Sequence, residues 1–233
     1  MKEKAERHHT PSTLVLLAAL NEEEGIYYTL RELKRFLKSS HFLVVDGCSK
    51  DRTVHVAKNF GADVLYQEGE GKGDAIAFAL QNLNCDFDYV VLIDADYTYP
   101  ARYVPKMIEL LELNPQLGMV CGNRFNSHFH TEWMPNVFYI GNRMLAFTHN
   151  FLNGVKMRDP LTGLRVLRGQ ILKNWKPRSK GFDIEAEMNY FVERKGFGIK
   201  EIDIEYRPRV GEKKLKLRHG VQILKRMLVD VTP

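Results

Sequence analysis

At 233 residues, with 44% hydrophobic and 27% charged positions, the chain is long enough for one large domain and has the composition of a folded globular protein. Lys and Arg outnumber Asp and Glu by 34 to 29, a formal charge of +5; so mild an excess makes no case for a nucleic-acid partner and suits phosphate-bearing ligands or an anionic membrane face. Three scattered cysteines, Cys48, Cys85 and Cys121, exclude a disulfide framework and a Cys-rich zinc site, and read as small buried residues in a reducing compartment.

Residues 1–12 are charged and His-containing, carry no apolar signal region, and read as a disordered end. No stretch reaches the ~18 consecutive apolar residues of a spanning helix. A soluble or peripheral protein is expected. Thr13 to Leu20 is a continuous apolar run, as in a strand buried on both faces of a parallel sheet. Asn21 and the acidic stretch Glu22 to Glu24 open a helix, along which Ile26, Leu30, Leu33 and Leu37 keep helical spacing. Phe42 to Val45 reads as a second strand, stopping at Asp46-Gly47. A helix from about Arg52 to Phe60, a strand over Asp63 to Tyr66, a glycine-rich loop from Gly69 to Gly73 and a helix from Asp74 to Leu83 follow. Tyr89 to Ile93 is a further apolar strand that ends at Asp94. This alternation predicts a doubly wound α/β domain with right-handed crossovers.

Beyond Trp133 the pattern changes. Val137, Ile140, Met144, Phe147 and Phe151 follow a 3-4-3-4 spacing, Phe182 to Lys195 reads as an acidic helix, and Ile199 to Tyr206 alternates as a half-buried strand does. The tail from Lys213 to Val229 is basic and amphipathic: Leu217, Val221, Leu224 and Leu228 form a stripe flanked by Lys213, Lys214, Lys216, Arg218, Lys225 and Arg226. Such stripes serve either a core or a membrane interface.

Ligands of doubly wound sheets bind beyond the carboxyl ends of the strands, which puts Ala18 to Glu22, Asp46 to Ser49 and Asp94 to Asp96 on one rim. Asp94-Ala95-Asp96 is the central feature. Two carboxylates one residue apart at a strand end reach one hard cation, and Mg²⁺ or Mn²⁺ held there neutralises a diphosphate leaving group. The loop Gly69-Glu70-Gly71-Lys72-Gly73-Asp74 precedes a helix, so its backbone and Lys72 are candidates to approach ribose or phosphate, or form a plain turn and cap. The eight histidines show no metal-ligand spacing.

Leu16-Leu17-Ala18-Ala19-Leu20-Asn21-Glu22-Glu23, Val45-Asp46-Gly47-Cys48-Ser49-Lys50-Asp51-Arg52-Thr53 and Asp94-Ala95-Asp96-Tyr97-Thr98-Tyr99-Pro100 occur in an order and spacing that resembles family 2 glycosyltransferases of the GT-A fold. Gly122-Asn123-Arg124-Phe125, the segment Asp159 to Arg165, and Glu201 to Tyr206 with Arg209, Gly211 and Lys214-Leu215 are similar to elements of the dolichyl- and polyprenyl-phosphate mannose or glucose synthases. The motifs depart from that pattern at Ala18, Gly47 and Thr98, where Pro, an acid and Gln are usual, and both UDP-glucose and GDP-mannose stay open as donor.

The resemblance implies a GT-A type nucleotide-sugar-binding domain over residues 13–210 with a mixed central sheet. Its nucleotide-binding half is 13–125 and its acceptor half 126–210, with a basic, membrane-interfacial amphipathic tail over 211–233. It implies that Ala18, Leu20, Glu22, Asp46, Gly71, Lys72, Asp94, Ala95 and Asp96 hold the nucleotide sugar and that Asp94 and Asp96 bind Mg²⁺ or Mn²⁺. Arg124, Arg165 and Lys214 would meet an acceptor phosphate, and Asp96, Arg124 and Arg209 would serve catalysis. The implied activity is inverting transfer of a hexose to a polyprenyl or dolichyl phosphate on the cytoplasmic membrane face. Two other readings stand beside it: a soluble transferase with a small phosphorylated or hydroxyl acceptor, using Glu185 or Glu187 as base, and a non-catalytic nucleotide-sugar-binding protein.

Overall fold

The computed structural model describes residues 11–83, 86–125, 136–153, 156–212, 214 and 217–231. Residues 1–10, Cys85, Trp133, Lys213, Leu215 and Lys216 lie outside this set, as do the side chains of Val137, Phe138, Tyr139, Leu217 and Arg218. Ser12 is tied to the body: its backbone N–H and its hydroxyl both donate to Asp88 Oδ2, at 2.8 and 2.9 Å.

The first half follows the expected alternation: β1 (Thr13–Ala19), α1 (Glu23–Phe36), β2 (His41–Asp46), α2 (Thr53–Asn59), β3 (Asp63–Tyr66), α3 (Lys72–Asn82) and β4 (Tyr89–Leu92). Then come α4 (Val104–Leu113), β5 (Leu117–Asn123), α5 (Asn136–Asn153), β6 (Arg165–Arg168), the single turn α6 (Gly169–Leu172), α7 (Ile184–Arg194), β7 (Gly198–Asp203) and α8 (Leu217–Val231).

Seven strands form one sheet in the order β3-β2-β1-β4-β6-β5-β7. β1 to β4 pair in parallel; β6 runs antiparallel between β4 and β5, and β7 pairs parallel to β5. The sheet does not divide near residue 125, since β6 and β7 complete the same sheet that β1 to β5 begin. Successive side chains of a strand point to opposite faces, so each inner strand feeds two cores. Val15, Leu17, Phe42, Val44 and Val91 meet α1 and α4 on one face, through Ile26, Leu30, Leu33, Met107 and Leu111. Leu14, Leu16, Leu43, Val45, Val90 and Leu92 meet α3 and α7 on the other, through Ala75, Ile76, Ala79, Ile184 and Met188. That double burial is why these strands read as unbroken apolar runs.

Chain direction along the sheet reverses after β3. β1 leads through α1 to β2 on one side, whereas β4 pairs on the other side of β1. A crevice therefore opens beyond the carboxyl ends of β1 and β4. α1 begins against it: a Cβ on Gly25 would lie 2.7 Å from Ala95 O and 2.9 Å from Asp96 Cα, so the absence of a side chain lets the helix start abut the acidic turn.

Two features are left open by the sequence. β6 carries no strand signature in the sequence, because Arg165 and Arg168 flank two apolar residues. Its arginines are stabilised inside by carbonyls: Arg165 donates to Thr162 O and Pro160 O at 2.9 and 2.6 Å, and Arg168 to Leu117 O at 2.8 Å. The apolar stripes of α5 and α8 face outward. Ile140, Met144, Phe147, Phe151, Val221, Leu224 and Leu228 are exposed, while α8 packs inward through Ile223 and Met227.

His149 of α5 is fully buried. Asn189 donates to its Nε2 at 3.3 Å, which leaves the proton on Nδ1. Burial, opposed by a hydrogen bond with Asn150 and reinforced by the charge of Arg165, lowers its pKa to about 4. A folded-state value below the unfolded one means stability is complete above pH ~6.5 and declines as pH falls toward 4. The loss amounts to about 3 kcal/mol, or roughly 6–12 °C of thermal midpoint. His149→Gln should remove that component, seen as a flatter midpoint-versus-pH curve between pH 7 and 4; an unchanged slope would show that the imidazole does not titrate there.

Candidate active site

The crevice is a cleft of about 810 Å³. Ala18, Ala19, Leu20, Gly47, Gln67 and Gly71 line it on the β1–β3 side, and Lys72, Asp94, Ala95, Asp96, Glu22 and Arg209 line its middle. Tyr99, Arg124, Leu161, Phe182, Tyr206 and Ile223 line the far side. The apolar runs give way to Asn21-Glu22 after β1, to Asp46-Gly47 at the end of β2, to Gln67 after β3 and to Asp94 after β4, so the polar residues begin where the sheet stops.

Cations and carboxylates interleave in the middle of the cleft. Lys72 Nζ lies 2.5 Å from Asp94 Oδ1 and 2.6 Å from Glu185 Oε1. Arg209 Nη1 lies 2.7 Å from Asp96 Oδ2, while its Nη2 pairs with Glu22 Oε1. Lys214 Nζ joins the same Glu22 oxygen at 2.7 Å and donates to Asn21 O at 3.1 Å. Glu22 Oε2 and Arg209 Nε are buried without a partner among the described residues. Asp96 Oδ1 accepts from the Thr98 hydroxyl and backbone N–H, at 2.6 and 3.1 Å, which fixes the turn.

The electrostatics split the acid pair. Burial raises the pKa of Asp94, but the Lys72 ammonium outweighs it and holds the carboxyl below its ordinary value. Burial and then the charge of Asp94 push Asp96 up, against the pull of Arg209. Burial likewise raises Glu22 in spite of Lys214 and Arg209. Lys72 is held charged by Asp94 and Glu185 against its own burial.

Arg124 forms the far wall. Its Nε and Nη2 grip Asp159 at 2.6 and 2.7 Å, and its guanidinium lies 5.3 Å from the Tyr206 ring centroid. Asp159 also accepts from the Arg124 backbone N–H at 3.0 Å, so one carboxylate fixes both the side chain and the strand end.

Of the residues expected from sequence, Ala18, Leu20, Glu22, Gly71, Lys72, Asp94, Ala95, Asp96, Arg124, Arg209 and Lys214 all line this one cleft. Lys214 sits with Arg209 on Glu22 rather than beside Arg124. Two do not reach the cleft. Arg165 is 1% exposed and spends its guanidinium on Thr162 O, Pro160 O and Asn189 Oδ1, so it supports the core and cannot meet an acceptor phosphate. Asp46 is also 1% exposed; its Oδ2 caps the Ser49 N–H at 2.9 Å, shaping the loop after β2 instead of lining the cleft. Of the two candidate bases, Glu185 faces the cleft. Glu187 turns away, accepting from the backbone N–H groups of Arg178 and Ser179 at 2.8 and 2.6 Å. Gln67 enters the lining without a local sequence signal, while Tyr99 and Leu161 lie within the quoted motif segments, and Phe182 and Ile223 within the expected helical segments, with no site role assigned to any of them from sequence.

A sheet that opens beyond β1 and β4 onto an acid pair ringed by cations is the architecture of a sugar-nucleotide-dependent transferase of the GT-A fold. The model of glycosyl transferase family 2 matches residues 14–175, and the chain belongs to that family and is a glycosyltransferase. It is 33% identical over 220 residues to the dolichyl-phosphate hexose transferase of Haloferax volcanii, covering 93% of this chain and 92% of the relative. It is 24% identical over 228 residues to the dolichol-phosphate mannosyltransferase of Pyrococcus furiosus, covering 91% of this chain but 63% of that protein. Its fold is similar to glucosyl-3-phosphoglycerate synthase from Mycobacterium tuberculosis, solved with Mn²⁺, UDP-glucose and phosphoglyceric acid. The TM-score is 0.74 at 22% identity, over 95% of this chain and 80% of that one.

If Arg165 is structural, Arg165→Met strands buried acceptors and lowers stability by about 3 kcal/mol. The folded fraction should keep its KM for both substrates; a raised acceptor KM at unchanged stability would return Arg165 to the phosphate.

Proposed function

We propose that the protein moves a hexose from a nucleoside diphosphate sugar to a polyprenyl or dolichyl phosphate, with the acceptor reached from the membrane surface. The observation that carries this reading is the cleft's far side. Beyond the acid pair its lining becomes apolar at Leu161, Phe182 and Ile223; Ile223 belongs to α8 and the nearby lining residue Asn142 to α5, the two helices that carry exposed apolar stripes. A chain-bearing phosphate matches such a site: the anion stops near Arg124 and the hydrocarbon follows the apolar wall outward. The likeness to the Haloferax dolichyl-phosphate hexose transferase supports the same acceptor class.

The residues fit a divalent ion. Asp94 and Asp96 are hard oxygen donors on one cleft wall, and the buried Glu22 Oε2 is an unused carboxylate oxygen in the same lining. No cluster of three ligating side chains stands ready among the described residues, so substrate oxygens would complete the shell. Mg²⁺ or Mn²⁺ bound there supplies charge neutralisation for the departing diphosphate. The chain's own part is an exchange of partners. Lys72, Arg209 and Lys214 now sit on carboxylates; a diphosphate offers them a second anion, and their donors turn to it without leaving the cleft. Arg124, already held by Asp159, keeps an acceptor phosphate within reach of the anomeric carbon against anion repulsion. A phosphate acceptor is ionised at neutral pH and requires no base.

No helix among the described residues is long and apolar enough to cross a membrane. The exposed stripes of α5 and α8, with Arg143 and Lys225 exposed beside them, suit peripheral attachment to an anionic face. Arg226 does not contribute outward, since it pairs with Asp183 at 3.1 Å.

The test incubates purified protein with Mn²⁺ or Mg²⁺, polyprenyl phosphate, and labelled UDP-glucose or GDP-mannose. Label should pass to the organic phase with one of the donors; label found only in a water-soluble product would replace the lipid with a small phosphorylated acceptor. Asp96→Asn should lower turnover by about 10²–10³-fold with the fold intact. Glu185→Gln separates the acceptors: a hydroxyl acceptor needs its carboxylate as base, whereas a phosphate acceptor loses at most donor affinity.

A further inference from the structure

Under the proposed activity the hexose faces the acceptor, so the nucleoside must run the other way, toward β2 and β3. On that side the lining is Ala18, Ala19, Leu20 and Gly47, the loop residues Gly69, Glu70 and Gly71, of which Glu70 is an exposed carboxylate, and one buried amide side chain, Gln67, at the end of β3. Gln67 is 6% exposed, and its backbone N–H donates to Asp46 O at 2.9 Å, fixing it to the neighbouring strand.

The amide of Gln67 has a single possible orientation. One terminal atom lies 2.9 Å from Gly71 O and 2.8 Å from Asp74 Oδ2. Both are acceptors, so that atom is the nitrogen, and its two hydrogens are both used. The oxygen is thereby turned the other way, and it accepts no hydrogen bond from any described residue. It lies 3.3 Å from where a Cβ on Gly47 would be, so the bare glycine is what leaves it open. Asp46, one residue before, has its carboxylate buried under the loop and out of reach.

We infer that Gln67 is the residue that selects the donor's base: its oxygen is an acceptor-only contact that takes the ring N–H of uracil or guanine directly, whereas cytosine and adenine meet it only through an exocyclic amine with a bare ring nitrogen beside it. A ring lone pair facing this oxygen is repelled. The amide cannot rotate to accommodate it without breaking both of its own donor bonds. The inference rests on the nucleotide-sugar reading of the cleft.

Calorimetric titration of the whole protein with UDP, GDP, CDP and ADP in the presence of Mn²⁺ tests it, together with UDP methylated at the ring N3 and GDP methylated at N1. UDP or GDP should bind ahead of CDP and ADP, and methylation of the preferred nucleotide should weaken it by about 3- to 10-fold. Gln67→Met should lose the same factor for the unmethylated nucleotide and become indifferent to methylation. A merely structural Gln67 would weaken all four nucleotides equally and leave the penalty of methylation in place, which overturns the assignment. Wild-type protein that ranks CDP or ADP first overturns it as well, without any variant. Absence of binding to all four nucleotides would remove the nucleotide-sugar reading itself; binding without discrimination removes only the part given to Gln67.

Discussion

The cleft depends on two cations that each hold two carboxylates apart from one another. Lys72 stands between Asp94 and Glu185, and Arg209 between Asp96 and Glu22. Four buried or half-buried acids converging on one crevice would repel each other strongly in a medium that screens poorly. The interleaved cations make the cluster tolerable, and they tie together parts of the chain that are far apart in sequence. Through them α1, α3, the turn after β4, α7 and the segment after β7 meet at one place. The same arrangement is chemically poised, since each cation already has a binding geometry for an anion and each acid pair has oxygens for a cation.

The rest of the fold serves that convergence. Parallel strands buried on both faces fix where β1 and β4 end, and the reversal of strand order between them opens the space. β6, inserted antiparallel, carries Arg165, whose carbonyl partners hold the Asp159–Thr162 turn and so the carboxylate that grips Arg124. Asn189 of α7 and His149 of α5 complete that buried group. The far wall is thus set by a polar network inside the core, not by loop residues at the surface.

Much of this was legible in the sequence, for identifiable reasons. β1, β2 and β4 announce themselves because double burial demands continuous apolar runs, and Asp94 and Asp96 stand out because they follow one directly. Arg165 misleads because an arginine bound to carbonyls in a core and one facing a phosphate have the same letter and similar neighbours; only the third dimension separates them. Asp46 shows the same limit: the pattern puts it at the rim, and the pleat turns its side chain under the loop. Gln67 has no signal at all, being one polar residue after a short strand, and its meaning comes from Gly71 and Asp74 further on. The stripe on α5 has helical period whether it meets a core or a solvent, so its spacing was visible and its direction was not.

That direction has a practical side. Phe147 and Phe151 stack on each other, with centroids 6.4 Å apart, and are 73% and 78% exposed. A contiguous hydrocarbon ridge of this kind finds something to cover it in any aqueous sample, and in plain buffer the nearest cover is another molecule of the same protein. The colloidal behaviour of the purified enzyme is therefore set by whether detergent or lipid is present, independently of how stable its sheet is.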